Sequence, residues 1–223
     1  MRSIGFLLLL AFGAAPELLA DPCSIDSLSN YIALGSTGCQ VGGLTVKDFS
    51  YSAISTTVTI AAGSITVTPF FGGYTVALTF SSSAFDVSGS DHAEYLLAYT
   101  WDPGDIRSLE DILNTSTPVF PGLAKITTDA CEDAAFSGSI CGTTTATVVV
   151  SHDGITPHLT DTVFFSPPVG ILGIRNDILL EANGASSEFS SFSNQLTLPE
   201  PSSLVEGLTA LALICLGIRL KRL

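Results

Sequence analysis

Tyr74, Val76, Leu78 and Phe80 fall on one side of an extended chain, and Thr75, Ala77 and Thr79 on the other. A period of two with the apolar residues on one side marks a half-buried strand. The same alternation, or short runs rich in β-branched residues, predicts further strands over 44–50, 94–101, 124–128, 143–151, 162–166, 171–181 and 195–198. Thr57-Val58-Thr59-Ile60 and Ser64-Ile65-Thr66-Val67-Thr68 flank Ala61-Ala62-Gly63 and read as a hairpin. Clusters such as Phe71-Gly72-Gly73, Asp102-Pro103-Gly104-Asp105 and Ser166-Pro167-Pro168 separate the strands. Many short strands without alternating helices predict an all-β, antiparallel β-sandwich, and jelly-roll and immunoglobulin-like topologies both fit.

Two stretches carry helical spacing instead. Ile106, Leu109, Ile112 and Leu113, with Asp105 as a cap, fit either a single helix or an irregular edge strand. Ile25, Leu28 and Ile32 predict a short helix ahead of a glycine-rich loop over 35–43. No internal repeat of useful period is present.

The two ends are patterned differently from the middle. Arg2 precedes a largely apolar run from Ile4 to Ala15, then Pro16-Glu17-Leu18-Leu19-Ala20. One positive charge, a short apolar stretch and a small residue at the cut describe a secretory signal peptide over 1–20, removed by signal peptidase after passage through the secretion machinery. At the other end Leu204 to Ile218 is apolar apart from Glu206, and Arg219, Lys221 and Arg222 follow. A spanning helix needs about 20 residues, so this one is marginal. Its positive end would stay cytoplasmic and leave the preceding domain outside.

Composition narrows the function classes. The chain has 223 residues, 46% of them hydrophobic and 13% charged, which excludes wholesale disorder. Its 21 acids against 8 bases exclude a nucleic-acid partner, since that binding runs on cations neutralising phosphates. Residues 21–198 are enough for one exported domain with a full core. Four of the five cysteines lie there, in a compartment where pairing is the default. Of three possible connectivities, spacing favours Cys23 with Cys39 and Cys131 with Cys141. No C-x-x-C and only three histidines argue against zinc.

Pro199-Glu200-Pro201, the hydrophobic stretch and the terminal basic cluster, in that order, closely resemble the PEP-CTERM sorting signal over 199–223. The resemblance implies a substrate of exosortase, an integral-membrane cysteine protease that cuts near the triplet and passes the protein to the cell surface of exopolysaccharide-producing bacteria. The stretches YIALGSTGCQVGGLTVKDFSYS, ITTDACEDAAFSGSIC and FFSPPVGILGIRNDILLEA also resemble secreted PEP-CTERM proteins. That likeness implies no catalytic residue, cofactor or metal.

Candidate chemistry is sparse. Walker loops, dinucleotide fingerprints, H-E-x-x-H and G-x-S-x-G are absent from the sequence. His152-Asp153 and His92 fall at expected turns. Glu110-Asp111 and Glu132-Asp133 are adjacent carboxylates, which on a strand face opposite ways and do not meet across a sugar. Asp86-Val87-Ser88-Gly89-Ser90-Asp91 offers oxygens around a glycine, without the EF-hand order. Tyr95, Tyr99 and Trp101 share one face of a strand, where they form either a flat sugar platform or part of the core. The expectation is a non-catalytic, exported envelope or matrix protein linked to exopolysaccharide. A carbohydrate-binding module is the alternative, and an exposed aromatic row would favour it; a secreted hydrolase ranks third.

Overall fold

The computed structural model describes residues 20–200 other than Ser139, so the expected signal peptide, Pro201, the hydrophobic tail and Arg219, Lys221 and Arg222 lie outside the described residues. The chain opens with β1 (Asp26–Ser27), α1 (Leu28–Ala33), β2 (Cys39–Val41) and β3 (Leu44–Thr56). It continues through β4 (Thr66–Gly72), β5 (Thr75–Ser81), β6 (Asp86–Ser88), β7 (His92–Asp102) and β8 (Ile106–Ser116). The remainder is β9 (Leu123–Glu132), β10 (Thr145–His152), β11 (Pro157–His158), β12 (Thr160–Val169), β13 (Leu172–Glu181) and β14 (Ser186–Thr197).

These strands form two antiparallel sheets, as the alternation requires. One runs β1-β4-β5-β14-β8-β12, with β6 also paired to β14; the other runs β11-β10-β9-β13-β7-β3-β2. Inward residues of β7 (Tyr95, Leu97, Tyr99, Trp101) and β13 (Ile174, Ile178, Leu180) meet Val76, Leu78 and Phe80 of β5 and Phe192 and Leu196 of β14 in a single core. Rings continue from one sheet to the other: Tyr31 meets Phe49 edge-on at 5.2 Å, Phe49 stacks on Tyr99 at 5.0 Å, and Tyr99 reaches Phe80 at 5.8 Å. Such contacts add specificity to the area they bury.

Both disulfides join as spacing favours. Cys23–Cys39 ties the N-terminal segment to β2, and Cys131–Cys141 closes the loop between β9 and β10. The short helix is present as α1, capped by Ser27, whose Oγ accepts from Asn30 N at 3.4 Å. Leu28 and Tyr31 are its buried face, while Ile25 lies before the helix and is exposed.

Two expectations are corrected. Ala61-Ala62-Gly63 is not a hairpin turn; the chain crosses there from the sheet containing β3 to the sheet containing β4. Tyr95 takes the backbone groups a ladder would have used, its hydroxyl accepting from Ile60 N at 2.7 Å and donating to Val58 O at 2.9 Å. Ile60 and Ile65 plug into the core on either side of the crossing. Residues 106–113 are neither helix nor edge: β8 is an interior strand between β14 and β12. Its inward face is Leu109, Asp111 and Leu113, and the carboxylate hid a period of two.

Candidate binding groove

Tyr95, Tyr99 and Trp101 are only 3%, 2% and 0% exposed, so the aromatic row is core and not a sugar platform. Tyr51 stacks on Tyr95 at 5.0 Å, and burial pushes the Tyr51 phenol well above its usual range. Two of the three histidines make side-chain contacts. His92 Nε2 meets Ser55 Oγ at 2.9 Å on a strand surface, and His152 Nδ1 meets the Ser116 carbonyl at 3.0 Å. Asp153 accepts from Ile155 N and Thr156 N at 2.9 and 2.7 Å, which holds its carboxyl below the usual range and makes it a turn residue.

The adjacent carboxylates separate as strand geometry demands. Glu110 turns outward, where its Oε2 accepts from Gln195 Nε2 at 3.1 Å; Asp111 turns inward. Asp133 accepts from Gly170 N at 2.7 Å and caps a loop. Asp91 Oδ1 is engaged by Thr57 Oγ1, which donates to it at 3.1 Å. Among the described residues no three His, Cys, Asp or Glu side chains gather as a metal site.

Asp111 instead belongs to a polar chain through the core. Asn194 Nδ2 on β14 donates to Asp111 Oδ1 at 2.6 Å, and Tyr99 Oη on β7 donates to Asn194 Oδ1 at 2.6 Å. On the other side Thr128 Oγ1 of β9 sits between Asp111 Oδ2 and Asn176 Oδ1, the latter 2.8 Å away. Asn176 Nδ2 faces the Leu97 carbonyl at 3.4 Å, which fixes the orientation of that amide. One hydroxyl proton therefore faces two oxygen acceptors. The set is complete when Thr128 donates to Asn176 and a neutral Asp111 donates to Thr128. Burial raises the Asp111 carboxyl to about 7, against the opposing effect of the Thr128 and Asn194 bonds, and the nearby Asp161 and Glu110 push the same way as burial. Tyr99 is raised as well, by burial and by Asp111. This chain joins the two sheets and is closed to solvent, so it is structural.

An open concavity lies at the end of the sandwich where β5 and β8 finish and β14 begins. It is a cleft of about 680 Å³ whose rim carries Ser83, Asp86, Thr115, Thr117, Glu188 and Ser190. Stacked Phe85 and Phe189, centroids 4.5 Å apart, are buried beneath it. Asp86 and Glu188 are directly opposite in the β6–β14 pairing, an arrangement of like charges that costs stability. Thr117 Oγ1 donates to Glu188 Oε1, and Thr117 N donates to Glu188 O at 3.1 Å. Thr115 holds φ at 47°, a left-handed conformation strained for a β-branched residue. Opposed carboxylates, a strained rim residue and a ring of hydroxyls make this the best-formed candidate site. Hydroxyls and carboxylates so arranged can exchange hydrogen bonds with a polyhydroxylated ligand.

Asp86 was visible in the sequence as a possible oxygen ligand. Glu188 was not, because it lies in a serine-rich strand whose inward positions include Ser187 and Asn194. Its pairing with Asp86 is set by sheet register, which no local pattern encodes.

No family model matches the chain, and no curated protein sequence does. Among solved structures it is similar to a carbohydrate-binding module, TmCBM61, in complex with β-1,4-galactotriose, at 13% identity and a TM-score of 0.35, over 66% of this chain and 86% of that one. It is also similar to a family 11 carbohydrate-binding module from Clostridium thermocellum in complex with a β-1,3-1,4-mixed-linked tetrasaccharide, at 13% identity and a TM-score of 0.24, over 72% of this chain and 92% of that one. Likenesses at this level carry no functional argument.

Proposed function

We propose that this chain is an exported, non-catalytic β-sandwich of the cell envelope or extracellular matrix. Its signal peptide is removed on export, and its Pro199-Glu200-Pro201 tail serves as a sorting handle for an exosortase-type membrane protease. The observation that carries the reading is the pair of disulfides, Cys23–Cys39 and Cys131–Cys141, set in an antiparallel two-sheet domain. The packed aromatic row also favours a structural role over a sugar platform. Glu200 is exposed directly after the last strand, in reach of a protease at the membrane surface. Intact mass of the surface-extracted protein tests this: a species that begins near Asp21 and stops near the triplet supports it, and one that still ends at Leu223 overturns the sorting.

A second reading, carbohydrate binding, is favoured by the groove. Under it, Asp86, Glu188 and the threonine hydroxyls would accept and donate hydrogen bonds to exopolysaccharide, and the buried aromatics would take no part. Pull-down by polysaccharide that is lost in Asp86→Asn/Glu188→Gln supports it. Retention unchanged by that double variant removes the groove from the account.

A further inference from the structure

The hairpin joining β4 and β5 ends in three exposed rings. Phe70, Phe71 and Tyr74 are 54%, 55% and 41% exposed, around a turn in which Gly73 has φ of 63°. The tip is braced and does not float free: a Cβ on Gly42 would lie 2.3 Å from the Phe71 ring, so the β2–β3 turn supports it from beneath. Other apolar side chains are exposed elsewhere, Phe120 and Phe164 among them, but here three exposed rings gather at one hairpin tip, and such a cluster marks a contact region.

The exit of the chain says what lies opposite. Leu198 N donates to the Tyr74 carbonyl at 2.7 Å, so the last residue of the folded domain is bonded to the tip itself. Pro199 to Ser203 separate it from the apolar block that begins at Leu204. Even fully extended, that linker spans only about 20 Å. Whenever the block is in a membrane, the tip is held at the bilayer surface. Charge at this end is mixed: Lys47 pairs with Asp102 at 2.6 Å and Arg107 lies near Asp105, while Glu132, Asp133 and Glu200 add acid, so the approach rests on the rings and not on charge. Aromatic rings with one polar handle favour the boundary between headgroups and acyl chains.

We infer that Phe70, Phe71 and Tyr74 form a membrane-interface foot that seats the sandwich on the outer face of the bilayer and holds the Pro199-Glu200-Pro201 segment against it. This rests on the membrane reading of the tail and adds to it a defined orientation. The cleft rimmed by Asp86 and Glu188 lies at the other end of β5 and β14, and it would face away from the membrane.

The test uses the full chain in phosphatidylcholine vesicles whose acyl chains are brominated, with Phe70→Trp as the probe. Trp101, the native tryptophan, is enclosed and supplies a fixed background. The expected result is flotation with the vesicles, a shift of the added emission to shorter wavelength and its loss by bromine quenching, with Trp101 emission unchanged in the parent chain. Tyr74→Trp repeats the measurement should Phe70→Trp not fold. A chain that floats while its added tryptophan stays open to aqueous iodide overturns the foot and leaves the tail reading intact. An added tryptophan shielded from both iodide and bromine shows the tip covered by a second copy or by the tail, and also overturns it. A chain that does not float denies the membrane tail and the foot together.

Discussion

Asp111 keeps its proton inside the fold at a pH where the same side chain in an unfolded chain has lost it. Below about 4 both states are protonated. Between there and the folded value of about 7 only the unfolded chain releases the proton, so stability falls as pH rises; above it both are ionised and the loss is complete. A shift of this size corresponds to about 4 kcal/mol at most. Asp111→Asn can still donate to Thr128 and accept from Asn194, with one N–H more than the neutral carboxyl and without a titration. The expected outcome is a melting temperature that no longer falls between pH 4 and 7 and that exceeds the parent's at pH 8. Thermal melts across that range check it, and an unchanged slope assigns the pH dependence elsewhere.

At the scale of elements, the two disulfides act on different parts of the sandwich. Cys131–Cys141 closes a loop of sequence separation 10 at the end of β9, and Cys23–Cys39, of separation 16, holds the segment before α1 on β2. Replacing either pair by serine should lower stability by about 2–4 kcal/mol, read from the denaturant midpoint. Elements with clean alternation, such as β5 and β7, were legible in the sequence because their inward positions are apolar or aromatic. β13 was legible despite its inward Asn176, because Ile174, Ile178 and Leu180 keep the period. β8 and the first three-quarters of β14 were not, because Asp111, Ser187 and Asn194 point inward, and Asp111 and Asn194 are rendered tolerable by partners on other strands. The crossing at Ala61-Ala62-Gly63 was misread for a related reason: the Tyr95 hydroxyl that ends the strand is 35 residues away from Ile60. The groove suffered most, since Asp86 and Glu188 meet only through register.

For the whole molecule, residues 21–198 carry 18 acids against Lys47, Arg107, Lys125 and Arg175. Two of those bases, Lys47 and Arg175, are already paired, with Asp102 and Asp129. Self-repulsion among the remaining carboxylates is long-ranged at low salt, where the screening length is about 30 Å, and weak at physiological salt, where it is about 8 Å. The melting temperature should therefore rise as sodium chloride is added, and the protein should pass through a heparin column unretained. A melting temperature that is flat or falls with salt would show that the acids are not mutually destabilising.

The outermost strands have one more consequence. β1 and β11 are two residues long and β2 three, while the long border strand β12 carries Pro167 and Pro168 and sends the Asp161 carboxylate to Val149 N at 2.8 Å. Short borders, prolines and a side chain across the gap are features that discourage strand addition, even though β3, β4 and β10 run on past their short partners. A dense layer of this protein would then be a packing of intact particles and not a fibril grown by strand addition. Concentrated films should give no fibre reflection near 4.7 Å and should disperse without denaturant.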